Sequence, residues 1–290
     1  MRLRILAPAK VNLHLAVGVA GPDGYHPVET ILQALTLHDE IEISTGGPSF
    51  LCEPDLGLPA AENLAWRAAH AMADRFDQSL DLAVSVEKHI PSGAGLGGAS
   101  ADAAAVIVGL AQYWGIDRAD VRLSVVARSL GADVPFFLEG GAAVFGDRGD
   151  VRTRRVRSLE APIVVIKPSE AVPTALAYEA FDRLGHVTSP GVKDLVRALD
   201  AGDVHEVAGR LHNAMTASSV GLVPAIAGAL EFVRSAPGVM GATMAGSGSA
   251  VFGICEDDQA AEACAARARD LGYWSVATRT HPAGCESEPF

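Results

Sequence analysis

The sequence lacks any uninterrupted apolar stretch of about 18 to 20 residues, so we predict no transmembrane helix. Residues 1–10 contain no apolar run long enough for a secretory signal peptide. The 4 cysteines among 290 residues are scattered, with no Cys-x-x-Cys pair and no zinc-site spacing to histidine. This spacing argues against both a disulfide framework and a zinc site. Together these absences favour a reduced, cytoplasmic protein.

The chain is also poor in positive charge, because 23 Lys and Arg residues against 35 Asp and Glu residues give a net charge of −12. A broad basic surface for nucleic acid is therefore not expected, since affinity for DNA or RNA comes mostly from cations that neutralise phosphates. A local cationic pocket for a small anionic ligand is compatible with this composition. We accordingly expect a small-molecule substrate and neither nucleic acid nor a membrane as partner, and the sequence assigns no oligomeric state.

What the sequence does contain is enough apolar material for a large core, since 49% of its residues are hydrophobic. The predicted strands and helices are mixed without a regular β-α-β alternation, and no internal repeat is visible, so we predict an α+β protein. The length favours two domains. The Arg-rich stretch 152–157 is the best candidate for the junction, and we expect it to be a solvated connector between domains at 1–157 and 158–290.

The first predicted strand places two polar side chains on one face. Apolar and polar residues alternate through residues 11–17, and Lys10 and Asn12 fall together on the polar face. An ordinary solvated face is the simple alternative to a functional role for them. Further along the chain, apolar stripes predict helices at 63–76, 101–114 and 204–215.

The segment PSGAGLGGAS at residues 91–100 carries the strongest functional signal. Four glycines in six positions leave the backbone bare and permit left-handed angles, so that successive N–H groups can surround an anion. The segment leads from a predicted strand into a predicted helix N-terminus, where free N–H groups and the helix dipole favour negative charge. A merely flexible surface loop is the alternative, but a docked apolar helix does not require four glycines at its entry. We therefore predict a phosphate-binding loop.

Two familiar phosphate motifs do not fit this loop. Gly93, Gly95 and Gly98 match the spacing of the dinucleotide-binding fingerprint, but the preceding strand is half polar instead of continuously apolar. The acidic residues about 20 positions further on, Asp117 and Asp120, lie between two predicted helices and not at the end of a strand. The Walker pattern also fails, because no Gly-Lys-Ser/Thr follows the loop. A lysine that serves this loop is therefore expected elsewhere in the sequence.

Three motifs in order along the chain resemble the GHMP kinases, the family of galactokinase, homoserine kinase and mevalonate kinase. They are APAKVNL at residues 7–13, the loop at 91–100 and AGSGSA at 245–250. The resemblance implies the two-domain GHMP kinase fold, with an ATP-binding N-terminal domain like the second domain of ribosomal protein S5 and a ferredoxin-like C-terminal domain. It also implies ATP as the phosphoryl donor, Mg²⁺ as its accompanying ion and a substrate that lies between the domains.

Two further motifs narrow the resemblance to one branch of this family. DGYH at residues 23–26 and GADVPF at residues 131–136 resemble the kinases that phosphorylate the tertiary 2-hydroxyl of a cytidine diphosphate derivative of methylerythritol. That reaction belongs to the non-mevalonate isoprenoid pathway. Another GHMP small-molecule kinase, of the homoserine or mevalonate type, is the alternative. A nucleotide-binding protein without kinase activity is a third hypothesis.

The resemblance assigns the chemistry to two residues. Asp133 is expected to accept the proton of the substrate hydroxyl, and Lys10 is expected to keep Asp133 ionised and to stabilise charge on the attacking oxygen. Few chemical groups are expected, because phosphoryl transfer depends mainly on positioning and charge neutralisation. Without the resemblance, Asp133 would simply be the cap of a short helix that has Pro135 in its first turn.

The resemblance also implies the binding contacts. Tyr25 and Tyr178 are expected to stack on the cytosine and His26 to hydrogen-bond its edge, while Asn12 and Thr174 are expected to contact substrate hydroxyls or phosphates. The residues expected to contact ATP are Asn63, Lys88, Pro91, Ser92, Gly93, Ala94, Gly95, Leu96, Gly97, Gly98, Ala99 and Ser100.

Two features near the expected cleft have a less definite role. Residues 246–249 are expected to shape its floor by letting backbone approach closely. Asp102 is left unassigned, since it could ligate Mg²⁺ or merely favour the N-terminus of the following helix. The sequence assigns no other metal ligand.

Overall fold

The computed structural model describes residues 2–185 and 189–288, so the outermost residues of the predicted domains (1, 289 and 290) lie outside the described part. The strands of the described chain are β1 Arg2–Val17, β2 Val28–Thr45, β3 Ser49–Glu53, β4 Leu82–Glu87, β5 Ala142–Gly146, β6 Val151–Val156, β7 Pro162–Lys167, β8 His212–Asn213, β9 Val239–Met244, β10 Val251–Cys255, β11 Trp274–Arg279 and β12 Glu286–Glu288. The α-helices are α1 Leu64–Phe76, α2 Gly98–Tyr113, α3 Val121–Leu130, α4 Val134–Phe137, α5 Thr174–Leu184, α6 Lys193–Ala201, α7 Val204–Gly209, α8 Thr216–Leu222, α9 Ala225–Ser235 and α10 Asp258–Asp270.

The first sheet has eight strands and is built around the long strands β1 and β2. Its main path runs β12-β1-β2-β4-β3, while β5 pairs with the other part of β2, β6 follows β5, and β8 pairs with β1. Most pairings are antiparallel, but β8 lies parallel to β1 and β3 lies parallel to β4. The α+β class predicted from the irregular order of elements is therefore confirmed.

Helix α2 is the central helix of the first half of the chain and packs against the first sheet. Residues 101–111 of this helix are all buried, which agrees with a helix that is apolar on every side. At Gly109 a Cβ would lie 2.6 Å from Ile43 Cδ1 and 2.7 Å from Ile5 Cδ1, so the missing side chain lets the helix approach the sheet closely. Helices α1 and α3 contact α2 from the outside and complete this core.

The second sheet has four antiparallel strands in the order β11-β7-β10-β9. Numbered along the chain within this sheet, that order is 4-1-3-2, with helices between the first two strands and α10 between the last two. This is the ferredoxin-like arrangement predicted for the C-terminal domain. Strand β7 is buried along its whole length, because one face packs against α9 and α10 and the other shares a core with β1 and β2.

Two predicted elements differ from the structure. The predicted helix at 204–215 ends at Gly209, and His212–Asn213 instead form β8, which pairs with His14 and Leu15 of β1. The Arg-rich stretch 152–157, predicted as a solvated connector, contains edge strand β6, which pairs with β5. Its side chains are mostly exposed, as predicted for a solvated segment. The prediction of a connector was wrong, because the backbone forms an edge strand.

Candidate active site

The glycine-rich segment is a compact loop whose backbone alternates in handedness. Gly93, Gly95 and Gly97 have φ values of 63°, 76° and 76°, in the left-handed region that other residues rarely adopt. At Gly95 a Cβ would lie 2.1 Å from Ala245 O, and at Gly97 it would lie 2.7 Å from Phe137 Cζ and 3.1 Å from Lys10 Cγ. Both glycines are therefore required by backbone angle and by space.

The loop is held on two sides by main-chain hydrogen bonds. Lys10 N of β1 donates to Leu96 O at 2.9 Å, and Ala250 N donates to Ala94 O at 3.1 Å. One bond comes from the first strand and the other from the AGSGSA segment, so the three motifs of the sequence meet in space. The loop ends at Gly97, which begins α2 without a side-chain cap, so this helix N-terminus lacks a side-chain acceptor.

The loop lines a cavity of about 370 Å³. Asn63, Lys88 and Asp102 also line it, together with the apolar side chains of Leu56 and Leu58. Every residue that the sequence assigned to ATP lies along this cavity, including residues 91–100. Asn63 has a structural task as well, because its side chain accepts a hydrogen bond from Ala65 N and caps α1.

A second cavity of about 440 Å³ adjoins the first at the loop, since Gly95, Gly97 and Ser100 line both cavities. Its remaining polar lining includes Lys10, Asn12, Thr30, Asp133, Arg148, Thr174, Tyr178 and Ser247. A molecule in one cavity and a molecule in the other would therefore meet at the loop.

Lys10 and Asp133 face each other in this second cavity, with Lys10 Nζ 3.4 Å from Asp133 Oδ2. Lys10 is only 3% exposed, so the polar face of β1 is covered and not solvated. Its ammonium also donates to Asn12 Oδ1 at 2.9 Å, and the same oxygen accepts from Gly246 N. Asn12 in turn donates to Thr30 Oγ1. The lysine is thus fixed in position by its neighbours.

The side chain of Asp133 is not used as a helix cap, although the residue precedes α4. It makes no capping hydrogen bond, and its side chain is about one-third exposed to the cavity. The capping alternative considered from the sequence is therefore not realised. Its carboxylate is open to a ligand while it stays beside the ammonium of Lys10.

Aromatic side chains gather beside the second cavity. The rings of His26 and Tyr178 lie 5.1 Å apart, and His26 Nδ1 is 2.8 Å from Gly18 O. Tyr25 is exposed, and the guanidinium of Arg148 lies 3.9 Å from its ring centre. Burial, and to a smaller extent the charge of Asp133, raises the pKa of the Tyr178 hydroxyl, which keeps this ring neutral.

The sequence analysis did not identify three residues of this site. Arg148 lines the second cavity and pairs with Asp23 at 2.7 Å. Asn213 donates to the carbonyls of Met244 and Gly246 and so fixes the turn beneath Lys10. Asp39 pairs with Lys88. Each lies far along the chain from its partner, so no local pattern marks it.

Thr174, which was predicted, lies in the second cavity with its hydroxyl 3.0 Å from Ser247 Oγ.

Comparison with known proteins places this site in a family. Residues 63–141 match the N-terminal domain of the GHMP kinases, and residues 192–273 match the C-terminal domain. The 4-diphosphocytidyl-2-C-methyl-D-erythritol kinase of Pelotomaculum thermopropionicum is 38% identical over 97% of this chain and 98% of its own length. That of Geobacter sulfurreducens is 36% identical over 96% of this chain and 99% of its own length.

Solved structures agree with these matches. A crystal structure of 4-(cytidine 5'-diphospho)-2C-methyl-D-erythritol kinase superposes with a TM-score of 0.81 at 33% identity, covering 96% of this chain and 98% of the other. Homoserine kinase from Cytophaga hutchinsonii shares the fold at 17% identity, with a TM-score of 0.75 over 99% of this chain and 97% of its own. The chain therefore belongs to the GHMP kinase family, among the 4-diphosphocytidyl-2-C-methyl-D-erythritol kinases, and is a small-molecule kinase, as its motifs predicted.

Proposed function

We propose that this protein transfers the γ-phosphoryl group of ATP to the 2-hydroxyl of 4-diphosphocytidyl-2-C-methyl-D-erythritol, in the non-mevalonate route to isoprenoids. The proposal depends mainly on the pair Lys10 and Asp133, which lies in the second cavity. Three loop residues line both this cavity and the cavity of the loop. ATP occupies the cavity of the loop, with its phosphates against the amides of residues 93–98. The alcohol occupies the cavity of the pair.

The reaction follows from this placement. Asp133 accepts the hydroxyl proton as the substrate oxygen bonds to the γ-phosphorus, and the bond from that phosphorus to the bridging oxygen of ADP breaks. Lys10 stabilises the negative charge that develops on the oxygens involved, from a position fixed by Asn12 and the Gly246 amide. The loop amides and the α2 N-terminus hold the charge of the triphosphate.

Mg²⁺ is proposed as the ion that accompanies ATP and neutralises its phosphates. Asp102 does not fit as its ligand, because Lys88 Nζ lies 2.6 Å from Asp102 Oδ2 and would repel a second cation there. Among residues 2–185 and 189–288, no group of three or more His, Cys, Asp or Glu side chains could hold a metal ion. The roles of Lys10 and Asp133 do not depend on the ligands of the ion.

The cytidine end of the substrate is proposed to lie against Tyr25, His26 and Tyr178. Arg148 lies over the ring of Tyr25 and also lines the second cavity, so it is placed to pair with the diphosphate. Thr174 and Asn12 are proposed to contact hydroxyls or phosphate oxygens of the substrate. Recognition thus combines aromatic stacking at one end with charge pairing in the middle.

The domain division and the location are also proposals. Residues 1–157 form the ATP-binding part and residues 158–290 the second part, with β8 and β12 of the second part completing the first sheet. We propose that the protein works in the cytoplasm, where the small charged substrates are available. No helix in the described ranges is long and apolar enough to cross a bilayer.

The function is tested by measuring ADP release with three alcohols under the same conditions. Turnover with 4-diphosphocytidyl-2-C-methyl-D-erythritol is expected, and mevalonate and homoserine are expected to give none. Binding of CMP, measured by calorimetry, checks the cytidine site separately. Turnover of mevalonate or homoserine without turnover of the cytidine compound would reject the proposal.

Replacing Tyr25 by alanine is expected to weaken substrate binding by about 1–3 kcal/mol, because one stacking face for the base is lost. The KM for the cytidine substrate rises accordingly, while the KM for ATP stays within about twofold. Tyr25→Phe is the matched control, since it keeps the ring and removes only the hydroxyl. A Tyr25→Ala enzyme with an unchanged substrate KM would remove this ring from the cytidine site.

A further inference from the structure

Lys88 lies at the end of β4, where the chain enters the phosphate loop, and its ammonium joins two buried carboxylates. Asp39 of β2 is fully buried and pairs with Lys88 Nζ through Oδ2. The other oxygen of Asp39 accepts hydrogen bonds from the backbone amides of His89 and Ile90, the latter at 2.7 Å. Asp39 therefore holds the two residues that immediately precede the loop.

The second carboxylate lies on the other side of the loop. Asp102 is the fifth residue of α2, just past its first turn, is 4% exposed, and accepts a hydrogen bond from Lys88 Nζ at 2.6 Å. The same ammonium thus reaches the strand end before the loop and the helix turn after it. A Cβ at Gly98 would lie 3.3 Å from Lys88 Nζ, so the lysine also lies directly beneath the loop's exit.

We propose that Asp39, Lys88 and Asp102 form a clamp that fastens the two ends of the phosphate loop together and thereby sets the loop's affinity for the triphosphate of ATP. Lys88 and Asp102 line the nucleotide cavity, but the ammonium is already held by two carboxylates. In this role the three side chains act as positioning residues. The loop is fixed at its middle by main-chain bonds, and the clamp fixes its ends.

The charge of the clamp favours one protonation state. Two carboxylates with a single ammonium would leave one uncompensated negative charge in a buried place, close to where phosphates bind. Burial raises the pKa of Asp102 to about 8; the charge of Lys88 opposes this and that of Asp39 adds to it. The remaining oxygen of Asp102, Oδ1, has no hydrogen-bond partner among the described residues. A proton on Asp102 makes the clamp neutral.

Two thiols respond to the charges of the clamp, while the His89 imidazole next to Lys88 is exposed and pairs with Glu87. Cys52 of β3 is close enough to be affected by all three charges, and burial raises its pKa. Cys285 donates to Ala101 O at 3.6 Å, and burial followed by the charge of Asp102 raises its pKa. Both thiols are therefore neutral at the pH where Asp102 loses its proton, so the change of charge comes from Asp102 itself.

The clamp predicts a specific loss in Lys88→Met. Binding of a non-hydrolysable ATP analogue, measured by calorimetry, is expected to weaken by about tenfold or more, because two buried carboxylates then face each other beneath the loop. The KM for the alcohol is expected to stay within about threefold. Equal losses for both substrates, or an unchanged affinity for the analogue, would overturn the proposal. The binding measurement does not depend on which alcohol the enzyme phosphorylates.

A pH series separates the clamp from a merely structural ion pair and also serves if Lys88→Met fails to fold. Raising the pH from 7.5 to 9 removes the proton from Asp102 and places a negative charge beside the phosphates. Affinity of the wild-type protein for the analogue is expected to fall severalfold across this range. Asp102→Asn is expected to show a flat profile, whereas Asp74→Asn, at an exposed position of α1, is expected to follow the wild type. A fall of the same size in Asp102→Asn would refute the clamp.

Discussion

Replacing Asp133 by asparagine is expected to lower kcat by about 10²- to 10⁴-fold, the range over which a positioned general base contributes. The amide keeps the size of the side chain and its place beside Lys10, but it does not accept the hydroxyl proton. Because Asp133 makes no capping hydrogen bond, α4 loses no cap in this variant. The thermal unfolding midpoint is therefore expected to stay close to that of the wild type.

The measurement combines steady-state ADP release with calorimetric binding of an ATP analogue, which is expected to be nearly unchanged. Asp77→Asn is the matched control, because Asp77 ends α1 with a φ of 53° that asparagine also tolerates, and the residue lines neither cavity. A rate near the wild-type value in Asp133→Asn would remove this carboxylate from the chemistry.

The second large effect is expected at Lys10. Lys10→Met keeps the length of the buried side chain and removes the charge, so transition-state stabilisation is lost while most of the packing is preserved. We expect kcat to fall by about 10²- to 10³-fold, by analogy with the loss of one donor from an oxyanion site. The KM values are expected to change less than kcat, which indicates an interaction made mainly in the transition state.

Lys193→Met at the start of α6 tests whether loss of any lysine charge has this effect. Lys193 is exposed and far along the chain from the motifs of the site, so its replacement is expected to leave kcat unchanged. If Lys10→Met kept more than about a tenth of the wild-type rate, the charge of Lys10 would not be a main contributor to catalysis. Single-turnover measurements then show whether the phosphoryl transfer itself is slowed.

Much of the site could be predicted because its signals are local. The glycine-rich segment is a short run in which residue type, helix entry and phosphate chemistry agree, and the structure shows three of its glycines in left-handed conformation. The two-residue alternation of β1 correctly placed Lys10 and Asn12 on the same face. Their burial was not predictable in this way, because the cover comes from the loop and from the Gly246 turn.

The contacts that were missed depend on residues far apart in sequence. Asn213 was placed inside a predicted helix, since residues 204–215 have a helical apolar stripe. In the structure the side-chain amide of Asn213 donates hydrogen bonds to the carbonyls of Met244 and Gly246. Parallel pairing with β1 replaces the last turn of the predicted helix. Tertiary hydrogen bonding has here outweighed local propensity. Asp39 was missed because it lies in the middle of a long strand, far along the chain from Lys88, His89 and Ile90, which it binds.

The edges of β1 have a consequence for how the chain is synthesised. One edge of this strand pairs with β2, while the other contacts the loop at Leu96, β8 at residues 14–15, and β12 at Arg4, Ile5 and Leu6. During translation the part of this edge at residues 4–6 therefore lacks its partner strand until residues 286–288 have left the ribosome. An open strand edge can pair with other chains, so nascent molecules of this kinase are expected to bind chaperones until the last strand has docked.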